Sequence, residues 1–335
     1  MKRKILLGHG SGGKLSHDLV NEIFVNAFDN PILNRLDDRA ALEVNGLKLA
    51  FTTDSFVVNP IFFPGGDIGK IAVCGTVNDL AMGGARPLYL SAGFIIEEGF
   101  PLEELQQVVA SMRQAADEAG VLIVTGDTKV VEKGGCDKLF INTAGIGLVP
   151  EGVNISGANA RPGDKVLVSG YMGDHGIAVM AHRHGLGFRE QLLSDCAPLN
   201  GMVTDMLRAS KNIAVLRDPT RGGLATTLNE IAAQSNVAIR INEELVPVRD
   251  EVRGACDILG LDPYYVANEG KLVAIVPCES ADSVAAAMCK HPLGLQGRII
   301  GEVLAEPKGQ VFLHTAIGGQ RVLDMLAGEQ LPRIC

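Results

Sequence analysis

At 335 residues with 47% hydrophobic side chains, the chain can fill two packed domains and is too apolar for a disordered polymer. Aromatics are 4% with no Trp, and Lys+Arg 30 against Asp+Glu 39 gives a net charge of −9. That balance argues against base-stacking platforms, nucleic-acid partners and anionic membranes. No apolar run reaches transmembrane length, and the basic start MKRKILL is too short for a signal peptide. The seven scattered Cys form no C-x-x-C pair. A soluble cytoplasmic protein without a disulfide framework or zinc site is expected.

Residues 4–7 read as a short strand leading into GHGSGGKLSHDLVNEIF. A Gly-rich loop before a helix exposes backbone N–H groups that suit an anion, with Gly12 and Gly13 as candidate phosphate contacts. The Walker A match is incomplete, because Leu15 stands where the Mg²⁺-binding Ser or Thr belongs. Segments 41–44 and 47–52 flank Asn45-Gly46, a strong hairpin signal. Asp38 precedes this hairpin and Asp54 follows it. Residues 68–82 form a helical run that contains Asp79, and Pro101 opens a second helix that Gly120 ends. Residues 121–124 read as a buried strand with Asp127 just past its end, and 139–149 as another strand.

Carboxylates placed like Asp38, Asp54, Asp79 and Asp127 repel one another unless a cation joins them. Hard divalent ions such as Mg²⁺ take oxygen ligands, keep several waters and bridge to substrate phosphates. The first inference is therefore a metal–nucleotide site. Taken singly, each Asp reads equally as a cap or turn residue.

The polar, Gly- and Pro-containing stretch 150–164, PEGVNISGANARPGD, marks a domain boundary. The expected division is a Gly-rich segment 1–36, an N-terminal domain 37–150, a C-terminal α/β domain 162–317 and a tail 318–335. Two further Gly-rich loops, GYMGDHG (170–176) and DPTRGG (218–223), open helices at 177–184 and 224–234. Asp218, Arg221, Gly222 and Gly223 are candidate nucleotide contacts, Arg221 adding a cationic fork. Short Gly turns of this kind are also ordinary connections. Strands are expected at 237–241, 272–276, 298–303 and 311–313, and helices at 248–259, 280–290 and 321–327. Strands and helices combined with hairpins read as α+β.

The chain closes on Cys335. Extended, 327–335 spans roughly 30 Å, enough for a terminal thiol to reach a pocket or another protein. Its own α-carboxylate disfavours the thiolate. The ordinary alternative is an exposed thiol on a frayed end.

DDRAAL, TTDSFVV, FFPGGDIGKIAVCGTVNDLAMGGARPLYLS, TGDTKVV, GDHGIAVM, DPTRGGL and the final PRIC occur in order over nearly the whole chain. Together they resemble the carbamoyl dehydratase family of hydrogenase maturation. That family sits in the PurM-like superfamily named for aminoimidazole ribonucleotide (AIR) synthetase. The resemblance implies a two-domain PurM-like α+β fold and a homodimer in which N-terminal sheets join in a barrel-like arrangement. It also implies ATP and Mg²⁺, held by the four Asp residues, and a flexible tail. The carbamoyltransferase HypF would load a carbamoyl group onto Cys335, and the tail would fold inward. ATP would phosphorylate the carboxamide oxygen, leaving a thiocyanate. The cyano group would pass to iron on the HypC–HypD complex, for the nickel–iron hydrogenase centre. By the same resemblance Lys129 and Glu269 lie nearest the thiocarboxamide, Lys129 to balance charge or orient the amide and Glu269 to take a proton. The remaining alternatives are a superfamily kinase or synthetase acting on a diffusible substrate, and a non-catalytic carrier.

Overall fold

The computed structural model describes residues 4–187, 192–328, 330–331 and 333–335. The first helix, α1 (Lys14–Leu19), runs through a π-helical stretch, Val20–Val25, into α2 (Asn26–Phe28). No strand forms at 4–7; Leu7–Gly10 is a 3-10 turn, and Ile5, Leu6 and Leu7 lie exposed without a strand partner among the described residues.

β1 (Ala40–Val44) and β2 (Leu47–Phe56) pair antiparallel, Val44 opposite Leu47. Asn45 and Gly46 take positive φ, as a two-residue hairpin turn requires. β2 runs on past residue 52, so Asp54 lies inside a strand rather than after it. Strand alternation then puts Ala50, Thr52, Asp54 and Phe56 on the inward face. The short pair β3 (Phe62–Phe63) and β4 (Gly66–Asp67) leads into α3 (Ile68–Met82). Asp67 caps α3, its carboxylate accepting from Gly69 N at 2.7 Å and Lys70 N at 3.0 Å. Every residue of α3 except Lys70 and Asp79 is buried. Burial on all sides suits its near-continuous apolar sequence.

β5 (Arg86–Glu97), α4 (Leu102–Ala119), β6 (Leu122–Val131) and β7 (Leu139–Leu148) complete the first half. Sheet order is β1-β2-β7-β5-β6, and β5 with β6 is its parallel pair. Residues 121–124 do not form the buried strand expected of them. β6 is a longer edge strand, exposed along nearly its whole length, and it carries Asp127 and Lys129 in mid-strand. Its apolar residues gave the impression of a core strand.

The second half contains β8 (Lys165–Val168), α5 (Asp174–His184), α6 (Asn200–Ala209), β9 (Val215–Arg217), α7 (Gly223–Ser235) and β10 (Ala238–Asn242). It continues with α8 (Asp250–Leu259), β11 (Val273–Val276), α9 (Cys278–Lys290), β12 (Arg298–Leu304), β13 (Gln310–His314) and β14 (Gln320–Val322). Among the described residues these strands form one seven-stranded sheet, β14-β13-β10-β12-β8-β11-β9. Only β10 with β13 is parallel, so this half is α+β rather than α/β. The helix expected at 321–327 is also replaced. Residues 320–322 pair with β13 and Leu323 N donates to Val311 O, because an open sheet edge offers these residues partners.

The halves meet along α3. Ala81 and Met82 pack into the cluster of Leu199, Met202 and Val203 from α6 and its approach. The α3 side chain Asn78 donates to Ala197 O and Glu269 O and accepts from Leu199 N. The helix that carries Asp79 is thereby fixed to both halves.

Candidate active site

Three of the expected acids converge. Asp79 interrupts the buried surface of α3, Asp54 lies on the inward face of β2, and Asp38 precedes β1. The Thr52 hydroxyl lies 2.8 Å from Asp79 Oδ2 and 3.0 Å from the Asp38 carbonyl. The fourth acid in the cluster is Asp218, directly after β9. All four are partly open to solvent. Burial pushes the Asp79 carboxyl well above the usual range, and the charges of Asp54, Asp218 and Asp38 add to it. Asp218 is pushed up to about 8 by burial, with Asp38 and Asp54 adding. Burial also raises Asp38, against the pull of Arg217, whose Nη1 donates to Asp38 Oδ1 at 2.7 Å.

Asp127 and Lys129 are not in this cluster. They pair with each other on the exposed edge strand, with side chains about two-thirds or more exposed. Their bond lowers the Asp127 carboxyl, which feels no acid of the cluster.

The clustered acids fit a hard cation. Repulsion among them is opposed at Asp38 by Arg217, and a divalent ion would relieve the rest. Among the described residues no three acids, His or Cys already stand as a metal cage. Mg²⁺ does not require one, since it is held by one or two carboxylates with waters and phosphates completing its shell.

The Gly-rich loops meet beside the acids. Arg221 Nη1 donates to Gly10 O at 3.0 Å, which joins loop 218–223 to the N-terminal loop around Gly12. A Cβ on Gly13 would stand 2.2 Å from Leu326 O, and Lys14 N donates to that same carbonyl at 2.8 Å. Gly13 is thus required by the approach of the tail. Gly222 and Gly223 take positive φ where α7 begins, and a Cβ on Gly223 would stand 2.6 Å from Val266 O. Asn268, which sequence reasoning did not single out, ties the loops together. Its Oδ1 accepts from Gly173 N at 2.7 Å and its Nδ2 donates to Pro219 O at 3.0 Å.

The end of the chain docks into this region. Asn59 N donates to Arg333 O and Val57 N to Cys335 O, at 3.2 and 3.1 Å. Arg333 reaches Val57 O and pairs with Asp137. Ile334 is 3% exposed and sits in the core cluster around α3. Cys335 is therefore not a thiol on a frayed end. Burial pushes it up to about 12; Arg221 pulls it down, while Glu269, Asp54 and Asp218 push further up. The same set of neighbours places the sulfur within electrostatic reach of the acids. Glu269 is 3% exposed and its Oε1 has no hydrogen-bond partner among the described residues. Burial, with Asp218, Asp195 and Asp54, pushes its carboxyl well above the usual range. A buried unpartnered carboxyl beside a docked thiol can exchange a proton with whatever the thiol carries.

Two family models cover most of the chain: AIR synthase related protein, N-terminal domain, over residues 36–149, and AIR synthase related protein, C-terminal domain, over 161–314. The chain belongs to the AIR synthase related family. The carbamoyl dehydratase HypE of Cupriavidus necator is 55% identical over 333 residues, 99% of this chain and 95% of that one. A HypE solved in complex with HypF has a TM-score of 0.88 and 51% identity, covering 92% of this chain and 99% of its own. A HypE solved in complex with ATP has a TM-score of 0.84 and 54% identity, covering 99% of this chain and 100% of its own. Within the wider class, the chain is a member of the HypE carbamoyl dehydratase family.

The acid cluster has a consequence for stability. Folded, Asp79 and Asp218 keep protons that the unfolded chain releases near pH 4. With more protons bound folded than unfolded, their contribution falls as pH rises from about 4 towards about 8. Melting temperature in EDTA is expected to drop over that window. Mg²⁺ should restore more of it at the alkaline end, and Asp218→Asn should flatten the slope. Scanning fluorimetry at fixed ionic strength reads this; a slope that is unchanged in Asp218→Asn would contradict it.

Proposed function

We propose that the protein dehydrates an S-carbamoyl group on its own Cys335 to a thiocyanate, using ATP, and so supplies the cyano ligand of a nickel–iron hydrogenase. The observation that carries this reading is the docked terminal thiol, which shares Arg221 and Glu269 as neighbours with the acid cluster. HypE relatives solved with ATP and with HypF support ATP as co-substrate and HypF as the carbamoyl donor. The cyano group would then leave for iron on a HypC–HypD complex, all in the cytoplasm. Residues 37–150 would form the ATP and Mg²⁺ domain, 162–317 the second domain, and 318–335 a tail that leaves its docked position to meet its partners.

An amide oxygen is a poor leaving group. Transfer of the terminal phosphoryl group to that oxygen forms an O–P bond, frees ADP and removes one proton from nitrogen. Cleavage of the C–O bond then expels phosphate, removes the second proton and leaves S–C≡N. Glu269, an electrostatic neighbour of the thiol, is assigned to the proton transfers: its raised carboxyl is a strong base once ionised, and a positive charge arriving at the acids favours that ionised form. Arg221 balances charge on the transferring phosphoryl oxygens. The loops around Gly12, Gly13, Gly222 and Gly223 would hold the phosphates through backbone N–H groups, those of Gly12 and Gly223 leaving Ser16 Oγ and Thr220 O to do so. Asp38, Asp54, Asp79 and Asp218 would hold Mg²⁺, which when bound would neutralise phosphate charge.

Asp127 and Lys129 enter this reading through a second copy of the chain. β6 is an edge strand with Leu122, Val124 and Val130 exposed, a surface that an isolated protomer leaves open to pairing. In a barrel-like homodimer built on that edge, Asp127 would add to the acids of the partner's site and Lys129 would reach the thiocarboxamide there.

Two experiments test these assignments. Cys335→Ala is expected to bind ATP and form no thiocyanate; mass spectrometry of the C-terminal peptide reads the outcome. Turnover of a diffusible substrate by that variant would instead favour a superfamily kinase or synthetase. Separately, Asp79→Asn and Asp127→Asn should each be inactive. Subunit exchange between the two should restore about a quarter of wild-type activity, since half the dimers are mixed and each mixed dimer has one intact site. No recovery in verified mixed dimers would count against a shared site.

A further inference from the structure

The docked tail is held by groups that do not touch the thiol, and one of them is a side chain with no role in the chemistry above. His175, in the first turn of α5, is fully buried. Its Nε2 lies 2.8 Å from the carbonyl oxygen of Ile334, and its Nδ1 lies 2.8 Å from Ser194 Oγ. A carbonyl only accepts, so Nε2 carries the proton; in the neutral ring Nδ1 then accepts from the Ser194 hydroxyl. Burial favours that neutral ring, opposed by the charge of Asp195.

The ring cannot turn freely. Ser194 is itself fixed, its N–H donating to Pro64 O at 2.8 Å and its Oγ accepting from Cys196 N at 3.1 Å. Phe63 presses against the imidazole at 87°, with 5.5 Å between ring centroids. On the other side of the terminal residue, Val57 N donates to Cys335 O. Cys335 is thus gripped on both sides of its Cα, through the Ile334 carbonyl and its own α-carboxylate oxygen. Rotation about its χ1 is the main freedom left to the sulfur.

We infer that His175 is a positioning residue: by holding the Ile334 carbonyl it orients the peptide bond leading into Cys335, and so aims the thiol and its cargo at Glu269 and Arg221. This deepens the dehydratase reading and rests on it. Ile334 is buried, so removing the donor leaves its carbonyl unsatisfied and favours the undocked tail.

The test reads docking without catalysis, in the full-length protein. Iodoacetamide labelling of Cys335 is followed by peptide mass spectrometry, with the exposed Cys278 as internal reference. His175→Ala should raise the Cys335 rate relative to Cys278 by roughly tenfold, the size expected for one buried hydrogen bond. His175→Gln, whose amide can donate to the same carbonyl, should recover much of the protection. Single-turnover dehydration of the carbamoylated protein should fall in the same order, Ala below Gln below wild type, with ATP affinity unchanged. Unaltered protection of Cys335 in a folded His175→Ala protein would overturn the inference. Should that variant not fold, Ser194→Ala keeps the ring and frees its orientation; it must show a smaller increase in labelling, and no increase overturns the inference equally. If the wild type makes no thiocyanate while labelling still follows this order, the dehydratase reading fails and the positioning role stands.

Discussion

Crowding of like charge governs this molecule. Asp38, Asp54, Asp79 and Asp218 converge, each partly open to solvent, and burial and mutual repulsion hold the Asp79 and Asp218 carboxyls well above the usual range. A folded protein can hold such a cluster when a rigid frame prevents the acids from separating. Here the frame is α3, capped by Asp67, buried on nearly every side, and bonded through Asn78 to loops of the second half. The cluster is unfavourable by itself and becomes favourable once positive charge arrives. Such a cluster has the chemistry to receive a cation and, through it, phosphates.

The tail adds a nucleophile-bearing group to this receptor without a separate binding event. Backbone donors at 57 and 59 and the His175 ring fix its last three residues, and Ile334 fills a place in the core. A substrate held on the chain reaches its partner groups at high effective concentration, which is the positioning contribution to rate. The neutral thiol pushed to about 12 fits a carrier sulfur at rest in the docked state better than an attacking thiolate.

Much of this was legible in the sequence. The bounds of α3 agree with its apolar run and its closing glycines, and the Asn45-Gly46 hairpin agrees with its turn chemistry. Asp38, Asp54 and Asp79 could be grouped because their segments are local and strongly patterned. Asp218 was visible only as part of a loop, since its place beside the other acids depends on how two halves dock. Asp127 was grouped with the cluster by its position near a strand, yet one copy of the chain leaves it on an open edge. β5, α6 and β9 were not marked, and the run at 321–327 looked helical because its apolar spacing suits either state until a sheet edge decides. His175 lies in the GYMGDHG loop and Asn268 in no marked motif, but the roles of both depend on partners far along the chain.

The central claim is that the acids, the nucleotide and the terminal sulfur act on one group in one place. Oxygen tracing tests it most directly. The protein is carbamoylated on Cys335 with ¹⁸O in the carboxamide, then given ATP in unlabelled water under single-turnover conditions. The account predicts one ¹⁸O in the inorganic phosphate released, matched by one thiocyanate on Cys335. Release of ADP with unlabelled phosphate, while the label stays on the tail, would contradict it.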